Sequence, residues 1–267
     1  MPKISADLQD ELCALLKNAA DDLVSQTAAV HAKGQGGLDF VTSVDLAIQA
    51  RLEEALPRLL PGSRVVGEEG FAGLGPVADP VWLVDPLDGT VNFVAGLPCY
   101  ATAAVLIEDG HPVLAAVHDI PRGATYAARA GHGAFCNGIA MARPAHAAKL
   151  AILSSGLLRD LTTHAPDRLG TFLDRFKLRN FGSQALHLCY AAAGHVGLVA
   201  SREAKGWDDL AGALIAQEAG LRYGSYAATT RETGEDQYSL CTSEALFENH
   251  AAEFACSIPA PATRTEG

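Results

Sequence analysis

The chain has 267 residues, 49% of them hydrophobic and 19% charged, enough apolar material to bury a large core as one domain or as two closely joined lobes. With 20 Lys+Arg against 31 Asp+Glu the formal charge is −11, so the broad basic footprint that a phosphate backbone needs is missing and nucleic acid is not expected as a main partner. No run approaches the ~20 apolar residues of a membrane span, and Met1-Pro2-Lys3-Ile4-Ser5 leads directly into a helical pattern instead of a basic and then apolar leader, so a cytoplasmic protein without membrane contact is expected.

Residues 5 to 32 carry Leu8, Leu12, Leu15, Leu16, Ala19, Leu23 and Val24 at the three-and-four spacing of an amphipathic helix, which stops at the loop Lys33-Gly34-Gln35-Gly36-Gly37. Ser43 is expected to cap a second helix with Ile48, Leu52 and Leu56 on its apolar face, closed by Pro57 and Pro61-Gly62. From 63 onward short β runs take over: Arg64 to Val66, Val81 to Val84, Thr102 to Ile107, Pro112 to Val117 and Ala124 to Ala128. Asp109-Gly110 and Pro121-Arg122-Gly123 read as the hairpin turns between them. The second half predicts a strand at Ala151 to Leu153, a helix in 165–176, a strand at Leu178 to Phe181 and a helix from Ser183 to Ala193. A strand at Val196 to Ala200 and a helix from Asp208 to Ala219, ended by Gly220, complete it. This is layered α/β and α+β material, and Pro259 to Gly267 reads as a frayed tail.

Six cysteines are too far apart for CxxC metal pairs or a dense disulfide framework, so buried reduced thiols are expected. Nine histidines form no HxH or HExxH pair, and satisfied or surface roles are expected for them.

Chemistry gathers around carboxylates. Asp85-Pro86-Leu87-Asp88-Gly89-Thr90 comes after a run that reads as a buried strand, and Val91-Asn92-Phe93 after it can open a helix. Two acids separated by a Pro-stiffened pair can converge on one hard cation, with the Leu87 carbonyl as a further oxygen ligand. Gly89 and Thr90 then place N–H groups at a turn, where a phosphate oxygen is held. Upstream lies Gly67-Glu68-Glu69-Gly70, and downstream Trp207-Asp208-Asp209-Leu210 sets acids at a helix start. Each segment taken alone also fits a structural role, because acids at helix starts favour the dipole and Asp-Gly makes turns. Together they form the pattern that divalent-metal phosphate chemistry requires.

These three segments, with Trp82-Leu83-Val84 leading into Asp85 and with Ala211-Gly212 closing the last, resemble the signatures of the inositol monophosphatase family of Mg²⁺-dependent phosphatases. Gly131-His132-Gly133-Ala134-Phe135-Cys136-Asn137-Gly138 resembles a further family segment. The resemblance implies a layered α+β/α/β sandwich of alternating helices and sheets, a homodimer, and hydrolysis of a small phosphorylated metabolite by metal-activated water. It implies Mg²⁺ ligands at Glu68, Asp85 (bridging two ions), the Leu87 carbonyl, Asp88 and Asp208. It implies catalytic roles for Glu68, for Thr90 as the hydroxyl orienting the water, and for Asp45 behind Thr90. Substrate contacts are implied at Asp88, Gly89, Thr90, Gly182, Ser183, Gln184 and Asp208, whereas a direct metal contact of Glu69 is less clearly implied. By residue type alone, Asp45 also reads as a first-turn helix acid and Thr90 as a local cap.

One phosphatase domain over 1–267 is expected, with a metal- and phosphate-binding lobe at about 1–145, a substrate lobe at about 146–256 and a tail at 257–267. The family commonly carries a lysine a few residues before the stretch matching Asp39-Phe40-Val41-Thr42, and Lys33, offset among glycines, is the only candidate for it here. Where the inositol-specific branch carries a glutamate that contacts the sugar ring, seven residues before the Asp208 position, this chain has Ser201, and Arg202-Glu203-Ala204-Lys205 come after it. Arg202 and Lys205 fit either a second anionic group or a solvated loop. The resemblance therefore implies activity on small phosphomonoesters such as inositol 1-phosphate. Histidinol phosphate, fructose 1,6-bisphosphate and, less so, a phosphoadenosine nucleotide are the alternative substrates, and a mainly regulatory binding role is the alternative class.

Overall fold

The computed structural model describes residues 4–22, 24, 29–33, 39–73, 80–142, 149–227 and 233–258. Helix α1 (Ala6–Asp21) is capped by the Ser5 hydroxyl, which accepts the N–H of Leu8, and it buries Leu12, Leu16, Ala19 and Ala20. It ends at Asp21, short of the residue 32 that the apolar spacing suggested. Val30–Lys33 is instead strand β1, paired antiparallel with β2 (Asp39–Thr42). The pairing has a local cause. Thr42, not Ser43, is the N-cap of helix α2 (Ser43–Leu59), and its extended backbone continues a strand that needs a hydrogen-bonded partner. The glycines at 34–37 and the tail 259–267 lie outside the described residues. Pro57 does not close α2 either. It sits in the last turn, where its missing N–H forfeits only one bond of the ladder, and Leu60 N–H still reaches the Leu56 carbonyl.

A seven-stranded sheet is built from β3 (Arg64–Gly67), β4 (Val81–Asp88), β5 (Ala101–Glu108), β6 (His111–Asp119), β7 (Ala124–Arg129), β8 (Ala134–Cys136) and β9 (Ile139–Ala140), in spatial order. Only β3 and β4 run parallel. Asp109 and Gly110 both have positive φ, 50° and 77°, which suits the tight β5–β6 hairpin. The short helix α3 (Thr90–Ala95) leaves the end of β4. All eight residues of β4 are buried, because both faces of the sheet are covered. Trp82, Val84 and Leu106 pack on Leu12, Leu16, Ile48 and Leu52 of α1 and α2. Leu83, Ala103 and Val105 point the other way, onto a second layer of helices. Each fully buried Leu or Ile stabilises the fold by about 1.5–3 kcal/mol.

The rest of the chain builds β10 (Leu150–Leu153), α4 (Ser155–His164), α5 (Pro166–Arg175), β11 (Lys177–Arg179), α6 (Gln184–Ala192), β12 (Leu198–Ser201) and α7 (Gly206–Glu218). It closes with β13 (Arg222–Ser225), β14 (Ser239–Thr242) and α8 (Glu244–Ala255). The five strands order as β11-β10-β12-β14-β13. Helices α6 and α7 are sandwiched between the two sheets, with Leu186, Ala211 and Ile215 touching the same core as Val105 of one sheet and Ile152 and Val199 of the other. The outer face of the second sheet is covered by α4, α5 and α8 through Leu157, Phe172 and Phe254. The order is thus helices, sheet, helices, sheet, helices. Within the middle layer α6 and α7 meet closely at Gly212, where a Cβ would lie 2.6 Å from Leu188 Cβ and 3.0 Å from the Ala185 carbonyl oxygen. Among the described residues, no helix is long and apolar enough to cross a membrane.

Candidate active site

Strand β4 delivers the central acids. Its pairing with β5 shifts register between Asp85 and Asp88, a bulge that places Pro86 and Leu87 outside the ladder. Pro86 has no N–H to leave unpaired, and its carbonyl accepts the Thr102 hydroxyl at 2.8 Å. Asp85 Oδ1 accepts the Leu87 N–H at 3.0 Å, which fixes the carboxylate at the bulge. Gly89 then turns the chain with φ 93°. A side chain there would lie 2.9 Å from the Cys99 carbonyl oxygen, so only glycine fits.

Glu68 arrives from the end of β3, its N–H bonded to the Val84 carbonyl at 3.0 Å. A residue unnoticed in the sequence holds this turn: the Gln49 side chain of α2 donates to the Glu69 carbonyl at 2.9 Å and accepts the Glu69 N–H at 3.0 Å. Gly67 leaves room for it, since a Cβ there would collide with the Gln49 amide. Asp208 comes from the first turn of α7, where one of its oxygens accepts the Lys205 N–H at 2.6 Å. One carboxylate oxygen each from Glu68, Asp85 and Asp208 lies within 4.8 Å of the others. Burial, and then the charge of their acidic neighbours, pushes Asp85 and Asp208 well above the ordinary carboxylate range. A divalent cation fits this set, because hard oxygen donors converge there and their mutual repulsion is what a cation would relieve.

Asp88 lines the same cavity as these three acids. Its oxygens are not among the three that converge, and both are gripped by the start of α6: the Ser183 hydroxyl donates at 2.6 Å, the Ala185 N–H at 2.7 Å and the Gln184 N–H at 3.2 Å. Burial raises Asp88 to about 6 against the pull of these three bonds. Ser183, expected to touch substrate, is wholly buried and spends its hydroxyl on Asp88. Gly182 and Gln184 do line the cavity, although the Gln184 amide donates to Asp209 at 2.8 Å. No single-sequence signal joins a serine to an aspartate so far away along the chain.

Asp45 has a partner on each carboxylate oxygen. Oδ2 accepts the N–H and hydroxyl of Thr42 in a capping box, and Oδ1 lies 2.9 Å from the Thr90 hydroxyl. Thr90 is equally close, 2.9 Å, to the Leu87 carbonyl, so its one proton has two acceptors and its lone pairs are left toward the cavity.

Glu68, Asp85, Leu87, Asp88, Gly89, Thr90 and Asp208 all line one cavity of about 460 Å³. The lining also carries Ser201, Glu203 and Lys205 of the segment singled out in the sequence, together with Ser154, Ser155, Asn180 and His187, which residue type and spacing alone do not assign to the site. His187 is buried and pushed down to about 3 by desolvation, and its Nε2 accepts the Phe181 N–H at 3.1 Å, as expected of a histidine in a satisfied role. Asn92 ties α3 to this region by donating to the Cys99 carbonyl at 2.7 Å and the Phe181 carbonyl. All six cysteines are free.

A family model described as the inositol monophosphatase family matches residues 3–258. A fructose-1,6-bisphosphatase/inositol-1-monophosphatase of Thermotoga maritima is 33% identical over 195 residues, 70% of this chain and 72% of that protein. An inositol-1-monophosphatase of Mycobacterium leprae is 37% identical over 208 residues, 72% of this chain and 70% of that one. Among solved structures, a Thermotoga maritima IMPase superposes with a TM-score of 0.79 at 25% identity, covering 94% of this chain and 98% of the other.

Proposed function

The chain belongs to the inositol monophosphatase family and is a phosphoric monoester hydrolase, and within that class we propose that it is a Mg²⁺-dependent enzyme that hydrolyses a small phosphorylated metabolite such as inositol 1-phosphate. The observation that carries the reading is the convergence of Glu68, Asp85 and Asp208 within 4.8 Å beside the Thr90–Asp45 pair. Glu68, Asp85 and Asp208 would hold the metal, with the Leu87 carbonyl and Asp88 at its margin. The chemistry that Mg²⁺ supplies when bound is neutralisation of phosphate charge and acidification of a water.

The chain's own groups do the rest. Asp45, held by Thr42, accepts the Thr90 proton. The Thr90 oxygen is then an acceptor that points the water's lone pair at phosphorus. The Gly89 and Thr90 amides supply donors for the phosphate oxygens. Asp88 braces β4 against α6 at the edge of the cavity. Fructose 1,6-bisphosphate, suggested by the name of the Thermotoga relative, is the less favoured substrate. Arg202 and Lys205, the cations of the 201–205 segment, are engaged by Asp160 and Asp236 and leave its second phosphate without a partner there. We further infer a cytoplasmic homodimer.

Phosphate release from a panel of esters, with Mg²⁺ and with a chelator, tests the proposal. Metal-dependent release from inositol 1-phosphate, slowed by Li⁺, is expected. No release from any ester with Mg²⁺ present overturns it.

A further inference from the structure

Beyond the carboxylate cluster, the cavity is also lined by the end of β12, the segment 201–205 and the first turn of α4. Most polar side chains on this wall are already committed. Ser201 is buried and its hydroxyl oxygen accepts the Ala204 N–H at 3.2 Å. Ser154 Oγ accepts the N–H groups of Leu157 and Arg202, Asn180 Oδ1 accepts the Gly182 N–H at 3.0 Å, and the Lys205 ammonium pairs with Asp236.

Glu203 differs from all of them. It is exposed, it lines the same cavity as Asp85 and Asp208, and its carboxylate makes no hydrogen bond or ion pair with another described residue. Its position is shaped by α4. Gly156, in the first turn of that helix, is where a Cβ would collide with Glu203 Oε2, so the missing side chain leaves the space in which the carboxylate lies. A carboxylate with its lone pairs unspent accepts two neighbouring hydroxyl groups and repels a phosphate. The nearest cation in sequence does not change that sign, because Arg202 is turned to Asp160 at 2.8 Å.

We propose that Glu203 is the specificity-determining residue for the alcohol half of the ester, selecting leaving groups that carry adjacent hydroxyls over bare ones and over those with a second anionic group. The inference rests on the phosphatase reading and moves to position 203 a task that Ser201, buried and bonded to its own turn, does not perform. Glu203 touches the part of the substrate that departs, at a distance from the reacting oxygens, so its contribution is read in the choice between esters.

The test compares inositol 1-phosphate with phenyl phosphate, whose leaving group carries no further hydroxyl, in the wild type, Glu203→Gln and Glu203→Ala, all with Mg²⁺. The quantity read is the ratio of kcat/KM for the two esters, which divides out any loss of folded protein. A fall of at least fivefold in that ratio is expected in Glu203→Ala, with Glu203→Gln falling in the same direction, since an amide accepts at one oxygen only. A smaller change in Glu203→Ala overturns the proposal. If the wild type releases phosphate from neither ester, it is the phosphatase reading that fails, whatever the variants do.

Discussion

On the cavity wall formed by β3, β4 and the starts of α2 and α7, nearly every acid is gripped: Asp85 by the Leu87 N–H, Asp208 by the Lys205 N–H, Asp45 by Thr42, and Asp88 by three donors of α6. On the facing wall, Glu203 is exposed and Lys205 is half-exposed and pairs with its neighbour Asp236. The first wall resists any change in the distances between its charges, as groups aimed at a transition state must. On the second, Glu203 can be exchanged without breaking a hydrogen bond to another described residue. One fold thereby keeps a single hydrolytic chemistry while its choice of alcohol is free to vary.

The comparison breaks most sharply at Asp85. Asp85→Asn removes a charge from the centre of the converging set, and kcat is expected to fall by at least ~10³, about 4 kcal/mol of transition-state stabilisation. Steady-state kinetics at saturating Mg²⁺ would show it, and retention of a tenth of the activity would contradict a central role. Thr90→Val keeps the shape and deletes the hydroxyl. A drop of about a hundredfold in kcat with little change in KM is expected, the range for a misdirected proton acceptor.

His187 sharpens the difference between chemistry and scaffold. Its folded-state value of about 3 lies below the ~6.5 of an unfolded chain, so between those limits the unfolded state binds the extra proton. The stabilisation is complete above pH 6.5 and is lost as pH falls through the window. Urea unfolding at pH 7 and at pH 4.5 should show the wild type losing about 2–3 kcal/mol more than His187→Gln. The smallest effect belongs to the second wall. Lys205→Met breaks a half-exposed pair, and unfolding should shift by less than ~1 kcal/mol, with kcat/KM within about threefold of the wild type.

Legibility in the sequence divides along the same line. The β4 acids sit beside a run of apolar residues and a Pro-Gly punctuation, so residue type and spacing suffice to single out Asp85, Asp88 and Thr90. The strands from β3 to β7 are legible for a like reason, apolar runs bounded by Asp109-Gly110 and Pro121-Arg122-Gly123. Helix α4 is not, because Ser154-Ser155-Gly156 reads as a turn and only the structure makes Ser154 a cap. Strand β13, an edge of its sheet, lacks alternation in Arg222-Tyr223-Gly224-Ser225. The grip of Ser183 on Asp88 and of Gln49 on the Glu68-Glu69 turn joins residues far apart in sequence, and such pairs are created by packing alone.

Gly212 touches neither solvent nor any carboxylate of the cavity, yet it governs how near two of them come. Helix α6 clasps Asp88 and helix α7 carries Asp208, and where the two helices cross, Gly212 has no room for a side chain against Leu188 and the Ala185 carbonyl oxygen. The crossing works as a calliper whose setting is one missing methyl group. Adding that methyl would act as a shim, spreading the helices and with them the jaws that hold the acids, so the calibre of the polar site is kept in the driest part of the protein.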